Sequence, residues 1–450
     1  MSCPRTIATD VLQRVLDNDA FSHLALDQAL RQSDLDERDR ALCTTLVYGT
    51  LTWLRRLDEE LRPLVSRDLE GLDRPVLISL RMALFQILFL DRIPDHAAVD
   101  RAVAISKKRC GRGASGFTNG VLRNWLRKRQ DTPIWEGIDP TKEPTRYLAI
   151  RYSLPDWLAS YLIDQSGLER AQERASVLTE QAPLTFRITS PALLEQLDHP
   201  LISTSQPIDG MPLAHHASGM NESLRKALDE GDAVIQDLGS QLIGCIAASA
   251  IANRPCTVLD ACAGLGGKAL HLAQELGDQA VIHAVDPHES KLNELKKAAQ
   301  RNGLGDQIQC HATTLGDLPS EMGPQDLVLV DAPCTGLGVI RRHPETRWRR
   351  QPDDIANRAQ LQRQLLDEAA PFVAPGGHLM YSVCSFTDEE GPQVIEYFLE
   401  QHPEFERSSP REGLPEAYWS AINERQELRL EPADFGCDAF FGALLQRTES

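Results

Sequence analysis

From Thr6 to Arg129 apolar residues return at short helical intervals, as at Ile7, Val11 and Val15, at Leu24 and Leu30, and at Leu42, Leu46, Leu54 and Leu57. That period turns one stripe of each segment inward and predicts an all-helical domain over residues 1–130. The most apolar run, Val76 to Leu90, is interrupted by Arg81 and Gln86. It falls short of the roughly 18 residues a membrane span needs and reads as a buried helix. Asp131 to Thr145 carries three prolines and no period, so residues 131–146 read as a linker. Residues 147–234 begin with helical spacing as far as Gln181. They continue with short extended pieces such as LTFRI between Pro/Gly turns, which predicts a small helical and α/β adaptor.

Beyond Ile235 short apolar runs alternate with amphipathic helices, the pattern of βαβ units and a parallel sheet over residues 235–450. The expected strands are Thr257 to Asp260, Val281 to Asp286, Ile308 to His311, Asp326 to Asp331 and His378 to Val383. A closing pair is expected at Glu404 to Arg407 and Asp438 to Arg447. The runs are rich in Val, Leu and Ile without strict alternation, as for strands covered on both faces.

Composition changes this picture in two places. The ten cysteines include no C-x-x-C pair and no paired Cys/His spacing, so neither a disulfide framework nor a metal site is expected. The N-terminal segment lacks the uninterrupted apolar stretch of a secretory signal, and a cytoplasmic location is the default. The chain holds 47 basic and 65 acidic side chains, a net charge of -18, which argues against a nucleic-acid partner until the distribution is read. Residues 1–130 contain 21 basic and 17 acidic side chains, against 26 and 48 in the remainder. Between Arg101 and Arg129 there are nine Lys/Arg and no Asp/Glu, with Lys107, Lys108, Arg109 and Arg112 ahead of Arg123. Gly111, Gly113 and Gly116 interleave, and the segment is a candidate RNA face.

The chemistry lies in the second half. VLDACAGLGGK, Val258 to Lys268, sets glycines between a strand and a helix, where a ligand can lie against backbone and helix N-terminus. About twenty residues on, Asp286 ends the next strand, the position of a carboxylate that accepts from ribose hydroxyls. The pair suits NAD or S-adenosylmethionine, and a nicotinamide oxidoreductase is one reading of the glycine turn alone. LVLVDAPCTGLG delivers Asp331 and Cys334 to the end of a strand, and GGHLMYSVCSF delivers Cys384 to the end of the next. Two thiols facing one pocket suit methylation at carbon 5 of a pyrimidine, which becomes nucleophilic only after a thiolate adds to carbon 6.

With these motifs the chain resembles the RNA 5-methylcytosine methyltransferases. Its N-terminal helical domain makes it similar to the bacterial RsmB (Sun/Fmu) family, which carries a NusB-like RNA-binding domain. The resemblance rests on FTNGVLR (Phe117 to Arg123), IQDLGSQLIG (Ile235 to Gly244), DAPCTG, VIRRHPETRWRR (Val339 to Arg350) and the closing DAFF. It implies a Rossmann-like methyltransferase domain, S-adenosylmethionine as cofactor and small-subunit (16S) ribosomal RNA as partner. No membrane, metal or protein partner is inferred. It further implies that Cys384 attacks the base, that Cys334 assists breakdown of the adduct, that Asp331 hydrogen-bonds the cytosine near nitrogen 3, and that Lys268 belongs to the same active site. The cofactor would lie against Cys262, Ala263, Gly264, Leu265, Gly266, Gly267 and Lys268, with Asp286 on its ribose and Asp331 adjoining. Arg341, Arg342, His343 and Arg347 would position RNA.

The chain departs from that family at three points. It reads Cys262-Ala-Gly-Leu-Gly-Gly-Lys268 where Cys-Ala-Ala-Pro-Gly-Gly-Lys is usual. HATTLGD follows the third strand without the expected acidic residue, leaving Asp317 as its candidate substitute. Val383 stands where Thr is common. Two other readings remain at this stage: a transfer-RNA cytosine methyltransferase, and a noncatalytic RNA-binding assembly factor.

Overall fold

A computed structural model describes residues 3–129, 132–196, 199–251, 254–319 and 322–449. The chain divides into two units. The first holds residues 1–181 and 340–350, and the second holds 182–339 and 351–450.

The first unit is helical: α1 (Pro4–Asp17), α2 (Ser22–Arg31), α3 (Glu37–Thr52), α4 (Leu54–Leu61), α5 (Arg74–Phe89), α6 (Asp95–Lys128), α7 (Pro144–Arg151) and α8 (Asp156–Val177). Helix α5 is buried from Val76 to Ile87, and its two polar interruptions are satisfied internally. Arg81 grips Asp58 through two bonds of 2.7 and 2.8 Å, while Gln86 donates to Met82 O and accepts from Arg5 Nε. Helix α6 is broken at Gly111, whose φ of +89° is open to glycine at little cost. Gly113 and Gly116 lie within the helix.

The second unit begins with β1 (Leu184–Ile188), α9 (Pro200–Ser203), β2 (Ser205–Ile208), β3 (Met211–Ala217), α10 (Glu222–Glu230) and β4 (Ala233–Ile235). The strands form an antiparallel sheet in the order β2-β3-β1-β4. Within residues 147–234, α7 and α8 belong to the first unit, whereas α9, α10 and the four-stranded sheet belong to the second.

Then come α11 (Leu238–Ser249), β5 (Cys256–Asp260), α12 (Gly267–Leu276), β6 (Ala280–Val285), α13 (Glu289–Arg301), β7 (Ile308–His311) and β8 (Gln325–Asp331). The short helix α14 (Thr346–Arg349) belongs to the first unit. The chain continues with α15 (Pro352–Ala369), β9 (Val373–Val383), α16 (Pro392–Gln401), β10 (Phe405–Arg407), β11 (Glu427–Leu430), α17 (Pro432–Phe435) and β12 (Phe440–Arg447). The sheet runs β10-β12-β9-β8-β5-β6-β7, with β11 also paired to β12. Strands β5 to β9 are parallel, and β12 enters antiparallel beside β9. Chain order reverses between β5 and β8, so a crevice opens at the carboxyl ends of these strands. Strand β11 was not anticipated from sequence, because its ELRL pattern has charges where a buried strand would be apolar. Glu427 is nonetheless fully buried there and accepts from Arg407 and Asn423.

Candidate active site

Each parallel strand ends by delivering a polar group to one edge of the sheet. β5 ends at Asp260, β6 is followed by Asp286, β8 ends at Asp331 and β9 is followed by Cys384. Asp331 and Ser382 are register partners, and Ser382 Oγ donates to Asp331 Oδ1 at 2.7 Å. The other carboxylate oxygen accepts from Lys268 Nζ, also at 2.7 Å, and that ammonium lies 5.4 Å from the Phe440 ring centroid. Lys268 is buried and Asp331 partly exposed, so the pair holds a fixed charge arrangement with one side open.

Beside it the sulfurs of Cys334 and Cys384 are 3.3 Å apart. Both residues are partly exposed. Sharing a proton with Cys334, together with burial, raises the Cys384 thiol well above the ordinary range; Lys268 works in the opposite direction. At rest Cys384 is therefore a protonated thiol.

Two further residues hold the cysteine-bearing loops, and sequence reasoning missed both. Glu390 is fully buried. Its Oε1 accepts from Thr335 N at 2.7 Å and Gln362 Nε2 at 3.2 Å, and its Oε2 from the hydroxyls of Thr335, Ser385 and Thr387 at 2.5, 2.7 and 2.9 Å. One carboxylate thus joins the residue after Cys334 to the residue after Cys384. Gly338 donates to Cys384 O and accepts from Ala439 N, and a Cβ there would stand 2.2 Å from Ala439 O. The signal for Gly338 lay in the DAPCTGLG run; for Glu390 only the acidic run Asp388-Glu389-Glu390 after Cys384 was visible.

The glycine turn has the expected strand-to-helix placement. Gly266 has φ +85°, and a Cβ there would strike Leu295 at 2.0 Å. Helix α12 starts at Gly267 with no side-chain cap. Leu265, where proline was expected, is 65% exposed. Asp286 accepts from Gly264 N at 3.1 Å and from His288 N at 2.8 Å, with His288 Nδ1 and Lys291 Nζ adjoining. Burial would raise its carboxyl, but the His288 and Lys291 interactions prevail and hold it below the ordinary value. Cys262 is partly buried, its thiol pushed up chiefly by burial, and Ala263 donates to Val285 O. Asp260 is buried with Oδ1 unpartnered, and burial with the charge of Asp331 pushes its carboxyl up to about 7. Asp317 is exposed and accepts from Thr314 Oγ1. The IQDLGS and DAFF motifs meet where Asp237 Oδ1 accepts from Gly239 N and Asp438 N.

Of the expected RNA contacts, Lys107, Lys108, Arg109, Arg112 and Arg123 are exposed on α6. Arg109 pairs with Asp10, and Arg123 donates to Asn119. The second group requires a correction. Arg347 is fully buried and donates to Ser153 O at 3.3 Å and Leu178 O at 2.8 Å, so it presents nothing to a phosphate. Arg341 is only 9% exposed, whereas Arg342 and His343 are half-buried. Trp348 donates to Leu51 O, and Arg349 to Val15 O and Ala20 O. Residues 340–350 thus use their donors to cap carbonyls at or near the ends of α1, α3 and α8, a structural task invisible in a run of arginines.

A parallel sheet with an uncapped helix behind a glycine turn, next to a Lys/Asp pair and two juxtaposed thiols, defines an S-adenosylmethionine-dependent methyltransferase. The sequence model of the family described as 16S rRNA methyltransferase RsmB/F matches residues 251–446, and that of the NusB family matches residues 2–127. The probable ribosomal RNA small subunit methyltransferase B of Bacillus subtilis is 34% identical, with 97% of each chain covered. The Thermus thermophilus ribosomal RNA small subunit methyltransferase B is also 34% identical, over 99% of this chain and 98% of its own. A methyltransferase homolog from Pyrococcus horikoshii, 23% identical, shares the fold with a TM-score of 0.58 over 69% of this chain and all of its own. The chain belongs to the ribosomal RNA small subunit methyltransferase B family, with S-adenosylmethionine as cofactor.

Proposed function

We propose that this enzyme methylates carbon 5 of a cytosine in small-subunit ribosomal RNA, in the cytoplasm, through a covalent adduct with Cys384. The observation that carries this reading is the pair of thiols 3.3 Å apart beside Asp331 and Lys268. A methyltransferase acting on a nucleophilic nitrogen or oxygen has no use for two cysteines there, whereas carbon 5 needs prior activation.

The residues present fit the cofactor. Helix α12 offers uncapped amides to its carboxylate. The turn is open at Gly264 and Gly267, where a Cβ would meet nothing closer than 4.0 Å. A ribose diol would bond the Asp286 carboxylate, fixed by loop amides, in place of the His288 and Lys291 side chains that contact it. When bound, the cofactor supplies an electrophilic methyl group.

The target base must leave its stack to expose carbon 6. As the Cys384 sulfur bonds carbon 6, the displaced electron pair moves toward ring nitrogen 3, and the thiol proton passes by way of Asp331 to that nitrogen. Asp331, with its charge held by Lys268 and Ser382, stabilises the proton gained there. Carbon 5 then forms its bond to the methyl group. Cys334, having released its own proton to solvent, accepts the hydrogen on carbon 5 as a proton; the carbon 5–carbon 6 double bond re-forms, the Cys384–carbon 6 bond breaks with its electron pair going to sulfur, and the proton on nitrogen 3 returns to Cys384.

The test is transfer of labelled methyl to protein-free small-subunit RNA, with large-subunit RNA and transfer RNA as controls and nucleoside mass spectrometry of the product. Selective 5-methylcytosine in small-subunit RNA is expected. Selective modification of transfer RNA, or a product other than 5-methylcytosine, overturns the proposal.

A further inference from the structure

Outside this site, the first unit gathers a second set of ligand-type side chains. His23 in α2 and His343 and Glu345 in the segment before α14 bring one donor atom each to within 4.8 Å of one another. The two imidazole rings are 4.9 Å apart, centroid to centroid. Glu345 is only 2% exposed. Its Oε1 accepts from Ser22 N at 2.9 Å, which fixes the carboxylate, but its Oε2 has no partner. Nδ1 of His343 is likewise buried and unpartnered. A buried carboxylate oxygen and a buried ring nitrogen left unsatisfied are costly, and each such group calls for an explanation.

We propose that His23, His343 and Glu345 form a binding site for a divalent transition-metal ion of the zinc type. Two imidazoles and a carboxylate are a ligand set suited to such an ion, and the hydrogen bond from Ser22 N supplies the outer support that orients a ligating carboxylate. Tetrahedral coordination needs donor atoms roughly 3.3 Å apart. The exposed His23 side chain can close the remaining distance by a rotamer change. The ion would staple residues 340–350 to α2. The ligands come from positions 23, 343 and 345, so no local Cys/His spacing announced them.

Zinc is the probe. Full-length protein stripped with a chelator, reloaded with Zn2+ and desalted is assayed for metal by mass spectrometry, alongside His23→Ala and Glu345→Gln. The Cys334/Cys384 pair can also take zinc, so the quantity read is the difference between wild type and variants. The expected result is one zinc per chain more in wild type than in either variant, with a zinc-dependent rise in melting temperature that His23→Ala loses. His23 is exposed, so that variant should keep the zinc-free melting temperature, which separates loss of the site from loss of the fold. Equal zinc content in wild type and His23→Ala, or no zinc-dependent shift in wild type, overturns the proposal.

Discussion

Cys334 and Cys384, from the ends of neighbouring parallel strands, place their sulfurs 3.3 Å apart. The contact gives each thiol a consequence for the other. With Cys384 as the attacking group, Cys384→Ala is expected to reduce methyl transfer by about a thousandfold or more and to abolish the RNA adduct. Cys334→Ala should still attack but release slowly, so a covalent protein–RNA band accumulates on denaturing gels. Full turnover by Cys384→Ala would reverse the assignment.

The same pair makes a pH prediction. The hydrogen bond with Cys334 is the largest influence raising the Cys384 thiol, followed by burial. Removing it should move the alkylation midpoint of Cys384 to lower pH. Iodoacetamide labelling across a pH series, read by peptide mass spectrometry, should show Cys384 in wild type reacting only above the ordinary thiol range near about 8.5. In Cys334→Ala its profile should shift down.

Glu390 binds the two cysteine loops through one buried carboxylate. In Glu390→Ala the donors from Thr335, Gln362, Ser385 and Thr387 lose their common acceptor, and the loops can drift. A displacement near 1 Å costs about a hundredfold in rate when reacting groups must be aligned. The expected signature is a fall in kcat of that order with KM for RNA changed little. Glu390→Gln, which keeps one acceptor oxygen and can donate to the hydroxyls, should fall between. A change confined to KM would show that Glu390 acts on substrate binding.

Much of this was legible in sequence because local chemistry and global placement coincide. Runs such as VLDACAGLGGK and LVLVDAPCTG are apolar strands whose final residues carry the reactive groups. Strand ends therefore follow from pattern, and the site from strand ends. Glu390 was hidden because its importance lies in donors from Thr335 and Gln362, which only the fold assembles. Arg347 was misread for a related reason. A cation in an arginine-rich loop looks like a phosphate ligand until the carbonyls of Ser153 and Leu178 are found around it. The small sheet is closed by β4 pairing with β1, a contact across sequence that no local period reports.

Asp260 offers a stability test whose sign is fixed. Its carboxyl is pushed up to about 7 by burial and by Asp331. The folded state therefore binds a proton that the unfolded chain gives up near about 3.9. Its contribution is fully present below the unfolded value and is lost as pH rises toward 7. Relative to wild type, Asp260→Asn should gain about 1.4 kcal/mol per pH unit within that window and level off above it. Denaturant unfolding of both proteins at pH 4 to 8 gives the difference directly. A difference that does not vary with pH would mean that Asp260 is ionised in the fold throughout.

Arg347 and Arg342 lie in one segment but should fail in different ways. Arg347 is fully buried, and burial lowers its pKa to about 9. Its replacement by methionine keeps most of the volume but leaves Ser153 O and Leu178 O without their donor. Two buried carbonyls deprived of a partner cost about 3 kcal/mol together, so Arg347→Met should lower the melting temperature of the helical unit. Lysine should rescue only part of this, because a single ammonium does not reproduce the fork that reaches both oxygens. Arg342 is half-buried and is the better candidate for a phosphate contact. Arg342→Ala is expected to melt near wild type while weakening RNA binding and reducing its salt dependence by about one phosphate contact. Calorimetry and binding titrations over a salt series separate the two effects. Equal loss of RNA affinity in Arg342→Ala and Arg347→Met, with neither protein destabilised, would restore Arg347 to the RNA surface.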